Sequence, residues 1–111
     1  MGRLASSVIV NGLIRLAEQQ GGFGAVLSKG EPTAGSIVIV MMERGERKAV
    51  LERLLQPDGS YGWRDSLGAG QNEEDVVKFL GKRRRFDPDL WVLELDVASA
   101  ERFAAEMTAI D

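Results

Sequence analysis

Six residues in a fourteen-residue stretch carry most of the chemistry available to this chain: Arg83, Arg84, Arg85, Trp91, Glu94 and Asp96, all within Arg83–Asp96. Three consecutive guanidinium groups form forks for carboxylate or phosphate oxygens. Two carboxylates spaced two apart on an extended segment point to the same side, where such a pair can hold a divalent cation or divide acid and base roles. The plainer reading is that the acids mark a strand end reaching water. In that reading the basic run, Lys82–Arg85, complements the negative end of a helix and pairs with Glu94, Asp96 or the acids at the helix start.

The elements that must position these groups follow from local rules. Pro88 fixes its own φ and pushes Asp87 out of the helical region, so a helix arriving from the N-terminal side should stop near Phe86. Beyond it the pattern alternates. Trp91, Leu93, Leu95 and Val97 form a wholly apolar side that should face the core, while Leu90, Val92, Glu94 and Asp96 form the other.

This same stretch carries a family resemblance. Phe86-Asp87-Pro88-Asp89-Leu90-Trp91-Val92-Leu93-Glu94-Leu95-Asp96 resembles the signature of domain-of-unknown-function family 1491, a group of short bacterial proteins. An apolar N-terminal helix, the turn Gly30-Glu31-Pro32-Thr33-Ala34-Gly35 and an acidic helix ahead of the signature fit the same pattern. The family often has a glycine-containing turn soon after the last carboxylate. Val97-Ala98-Ser99-Ala100 stands there instead, so the C-terminal segment departs from it. The resemblance implies a bacterial cytoplasmic protein and supplies no mechanism.

Composition closes off several chemistries. The 111 residues contain no cysteine and no histidine. That removes disulfides, thiolate nucleophiles, sulfur-ligated metal sites and imidazole-based catalysis. The formal charge is −3, from 14 basic and 17 acidic residues, and four of the basic ones are consecutive. A mildly acidic surface with one basic spot argues against a nucleic-acid partner. No segment approaches membrane-spanning length, and Asn11, Gly12 and Arg15 interrupt the apolar run Val8–Ala17 as no signal peptide would.

Along the chain, Ser6 or Ser7 is placed to cap a first helix that ends at Gly21-Gly22. Phe23–Lys29 reads as a strand. Ile37–Met41 is apolar on both faces, so it belongs in the centre of a sheet, covered on each side by a helix or by a second subunit. Glu43-Arg44-Gly45-Glu46 reads as a tight hairpin connection. Residues 47–55 fit either a helix or a strand. The turn Gln56-Pro57-Asp58-Gly59-Ser60 and the following Tyr61-Gly62-Trp63 favour a hairpin, and with it the strand. Asn72 caps a second helix with Glu73, Glu74 and Asp75 in its first turn, and Ser99 caps a third bearing Phe103, Met107 and Ile110. Ser28 and Lys29, as strand neighbours, should point to opposite faces and form no dyad. Gly68-Ala69-Gly70 lacks the Lys-Ser/Thr pair of a phosphate loop, and three acids follow it.

The expected architecture is one domain over residues 1–111 of the α+β class. It is a largely antiparallel sheet of about five strands with helices packed on it, in the order α-β-β-β-β-α-β-α. The expected function is that of a small cytoplasmic binding or interaction module taking a protein or a small anionic ligand, with self-association open and no cofactor implied. The alternative is a divalent-metal-dependent enzyme that works on a phosphorylated substrate through Glu94 and Asp96.

Overall fold

The computed structural model describes residues 4–68 and 71–107. Ala69 and Gly70 of the expected glycine-rich loop, and Ile110, expected on the third helix, lie outside them. Eight elements follow in the expected order: α1 (Ser6–Gln19), β1 (Phe23–Ser28), β2 (Ile37–Glu43), β3 (Glu46–Leu55), β4 (Tyr61–Asp65), α2 (Glu73–Phe86), β5 (Trp91–Val97) and α3 (Ala100–Met107). Residues 47–55 are strand, as the turn after them implied.

The five strands form one sheet in the order β1-β5-β2-β3-β4. The sheet is largely antiparallel, with one parallel pair, β2 with β5. Thus β5, the last strand in the chain, separates β1 from β2. The connection across that gap is the turn at residues 30–35, which straddles the start of β5. A Cβ at either Gly30 or Gly35 would overlap the Asp89 carbonyl oxygen. Only glycine lets the turn sit this close.

Two cores flank the sheet. On one face, Ile9, Leu13 and Ala17 of α1 and Phe103 and Met107 of α3 bury Ile39, Met41, Leu93 and Leu95. On the other, Val76 of α2 packs with Val38, Val50, Leu90 and Val92, and Phe79 and Leu80 close over them. Helix α2 therefore covers the second face of β2 within the chain itself.

The helix ends are closed in different ways. At the end of α1, Gly21 adopts φ 84°, and the N–H groups of Gly21 and Gly22 return to the carbonyls of Glu18 and Ala17. This is the left-handed closure that a glycine at position 21 allows. Asn72 and Asp75 form a reciprocal capping box on α2, and Ser99 Oγ accepts from the Arg102 N–H at the start of α3. The start of α1 differs from expectation, because no side chain caps it. The Ser6 and Ser7 N–H groups donate instead to the Thr33 and Pro32 carbonyls, and Ser6 Oγ donates to the Gly35 carbonyl at 2.6 Å. The turn at 30–35 thus supplies acceptors that a capping side chain usually provides.

Glu31 orders that turn. Its carboxylate accepts from the N–H groups of Thr33 and Ala34, which hold its pKa below the ordinary value. A group with a lowered folded-state pKa stabilises the fold above its unfolded-state value, and that contribution disappears as pH falls through the folded-state value.

We expect Gly30→Ala to cost about 1–3 kcal/mol of stability through overpacking. A urea titration checks this, with wild-type chain as reference.

Candidate functional site

The structure separates the six residues singled out by sequence. Trp91 is only 4% exposed, and its indole N–H donates to the Glu31 carbonyl at 2.8 Å. It belongs to the core and to the anchoring of the turn. Asp96 Oδ2 accepts from the Gly45 N–H at 2.9 Å. Gly45 and Arg44, at φ 83° and 49°, form the β2–β3 hairpin turn, whose two positive φ values suit a tight two-residue connection. Asp96 therefore secures that turn. On β2, Glu43, the register partner of Val97, accepts from the Ala100 N–H and helps start α3.

Among the described residues, no ion pair joins Arg83, Arg84 or Arg85 to Glu94 or Asp96. Leu90 lies beside Arg84 and Arg85. Asp96 is six residues further along the extended chain, roughly 20 Å away at the strand rise. Among the described residues, no group of three potential metal-ligating side chains gathers anywhere.

The three arginines themselves divide by helical geometry. Arg83 turns toward the sheet and pairs with Glu52 on β3. Glu52 also accepts from Ser66 Oγ at 2.9 Å. Burial of Glu52 opposes its charged form. The hydrogen bonds from Arg83 and Ser66, with the fields of Arg83 and Arg64, outweigh that penalty and hold the carboxyl below its usual pKa. Sequence reasoning missed Glu52 because it breaks no local pattern. Its partner lies 31 positions away, and only the packing of α2 across the sheet joins them.

Arg84 and Arg85 point elsewhere. Together with Ser28, Lys29, Gly81, Pro88 and Leu90 they line a cleft of about 500 Å³ between the end of α2 and the end of β1. Ser28, the last residue of β1, and Lys29 beyond it both line this cleft. Val26 opposes Leu93 and Ser28 opposes Val92, so an extra residue, Leu27, is accommodated there. This bulge sets Ser28 on the face that α2 covers. Gly81 leaves open space where a side chain would stand. Lys29, Arg84 and Arg85, from two distant segments, line this cleft, and among the described residues no carboxylate does. Such an arrangement suits a single anionic group, with the guanidinium forks supplying direction and the ammonium supplying charge.

The two aromatics of β4, Trp63 and Tyr61, are held in place within the β3–β4 hairpin. Trp63 packs against the first core, and Tyr61 lies beneath the Arg53 guanidinium, 3.8 Å from ring centroid to carbon.

Because the Glu52 carboxyl is depressed by its partners, its contribution is present above the unfolded-state pKa and is lost as pH falls through the folded-state value. Glu52→Gln should cost about 2 kcal/mol near neutral pH, the scale of a hydrogen bond to a charged group. It should also flatten the acid limb of the stability–pH profile, which chemical denaturation between acidic and neutral pH measures.

A family model described as a protein of unknown function, DUF1491, matches residues 4–105. The crystal structure of a DUF1491 family protein from Caulobacter crescentus CB15 is 28% identical. It covers 90% of this chain and 94% of its own, at a TM-score of 0.78. An NMR structure of a DUF1491 family protein from the same organism gives the same identity and TM-score, with 94% of each chain covered. The solution structure of a protein from A. tumefaciens is 30% identical, with 93% of each chain covered and a TM-score of 0.74. No curated protein matches. The match over nearly the whole sequence, together with the shared fold, establishes that this chain belongs to the DUF1491 family.

Proposed function

We propose that this chain is a small cytoplasmic binding module that receives an anionic group, carried by a partner protein or a small ligand, in the cleft between α2 and β1. One observation carries the reading. Lys29, Arg84 and Arg85 line that cleft, and among the described residues no carboxylate does, in a chain whose overall charge is −3. Concentrating cations against an acidic background costs self-repulsion among them, which a bound anion relieves. The cytoplasmic setting rests on the absence of cysteine from the sequence. Among the described residues, no helix is long and apolar enough to cross a membrane.

Arg83 stands outside this proposal. Its pairing with Glu52 is structural, so reversing it would leave a buried carboxylate without its partner. The test therefore uses Arg84→Glu with Arg85→Glu, both exposed positions. In the isotope-labelled wild-type chain, millimolar inorganic phosphate or free glutamate should shift the amides of Ser28, Lys29, Arg84 and Arg85. The shifts should fade as salt rises and vanish in the double variant. Unshifted amides in the wild-type chain at low salt would overturn the reading.

Gly81 separates stability from binding. Gly81→Ala should raise stability by about 0.5–1 kcal/mol, because glycine within a helix is unfavourable and a methyl group there meets nothing. Gly81→Leu should fold equally well and weaken phosphate binding by occupying the cleft. Thermal unfolding and the same titration report the two effects.

A further inference from the structure

Strand β1 ends the sheet, and among the described residues no strand lies beyond it. Alternate backbone N–H and C=O groups of an edge strand point outward, ready to pair with another extended chain. Proteins usually defend such edges with charge or proline. Between Phe23 and Ser28 there is neither. The edge instead displays Phe23 and Leu27, 55% and 52% exposed.

The cationic cleft opens where this edge finishes. Phe23, Ala25 and Ser28 oppose Asp96, Glu94 and Val92, so all three lie on the sheet face that carries α2. A strand added outside β1 would therefore place one same-face side chain opposite Ser28, toward Arg84, Arg85 and Lys29. Its next same-face side chains would run past Ala25 and Phe23. Phe86, directly after Arg85, is 75% exposed and offers a further apolar surface at the end of α2.

Resting on the cleft reading above, we infer that the natural occupant is an extended acidic peptide segment of a partner protein. It adds as a sixth strand to β1, with a carboxylate in the cleft and apolar side chains against Ala25 and Phe23. Charge complementarity selects the acid, and the open backbone edge selects an extended chain over a free anion. The bulge at Leu27 bends the edge, which limits the added strand to a short one. A nucleic-acid strand supplies anions without the backbone donors and acceptors that β1 can pair with.

The probe is a capped heptapeptide, Thr-Glu-Thr-Val-Thr-Val-Thr, whose glutamate and valines share one face. Titrated into the isotope-labelled full chain, it should shift amides throughout residues 23–28 as well as at the cleft. It should also slow hydrogen exchange of the outward-facing β1 amides. N-methylation of alternate peptide bonds, with the chain left unaltered, should weaken binding at least roughly tenfold, as should Arg84→Glu with Arg85→Glu.

If shifts are confined to the cleft and the N-methylated peptide binds as well as the parent, the strand-addition inference is overturned while the anion cleft stands. If neither peptide nor phosphate produces a shift, both fall. Concentration-dependent protection of β1 without peptide would identify a second copy as the occupant and overturn the inference. Tighter binding of an oligothymidylate than of the peptide would overturn it as well.

Discussion

The seating of one turn on the beginning of one strand is the constraint on which the fold depends. The Glu31 N–H donates to the Asp89 carbonyl, the Trp91 N–H donates to the Ser36 carbonyl, and the indole of Trp91 reaches the Glu31 carbonyl. The same turn satisfies the first donors of α1. A helix, a crossing and a central strand are thereby fixed relative to one another by backbone groups that would otherwise be buried without partners. Gly30 and Gly35 are required because the contact leaves no room for a side chain on either side of it. Trp91 adds a large buried ring whose single polar atom is satisfied, so its apolar area stabilises the core without an unpaired donor.

The charged groups are organised by a second, weaker rule: each face of a helix answers to a different environment. Arg83 faces the sheet and finds Glu52, while Arg84 and Arg85, one and two positions on, face the outer cleft. A run of like residues is thus split into a pair that holds α2 to β3 and cations that remain available at the surface. Asp96 of the signature strand has a comparable structural duty, holding the hairpin at Gly45. Residues that look like one constellation in the sequence serve three separate places in the molecule.

This explains how much was legible beforehand. Periodicity revealed the apolar side of β5, the central position of β2, the caps on α2 and α3 and the element order, because each depends on neighbours within a few residues. The hairpin choice for residues 47–55 followed from the turn chemistry at 56–60. What could not be read was anything set by distant pairing. The insertion of β5 between β1 and β2, the partnership of Glu52 with Arg83, and the gathering of Lys29 with Arg84 and Arg85 all join segments 30 or more positions apart. Sequence spacing placed Glu94 and Asp96 close to the arginines, and an extended backbone then carried Asp96 roughly 20 Å away. Serine at the start of α1 suggested a cap, yet its hydroxyl serves the turn because the turn's own carbonyls already meet the helix donors.

The place of β5 in the sheet also bears on synthesis. While the chain emerges in order, β1 and β2 exist as a split ledge with a slot one strand wide between them, and that slot stays vacant until β5 itself appears. Pairing across such a sequence separation is slow compared with closing a hairpin. The nascent chain therefore passes through an interval in which its most apolar strand, Ile37–Glu43, is open along one flank. A ribosome pausing ahead of Trp91 would lengthen the time available for foreign strands to lodge there.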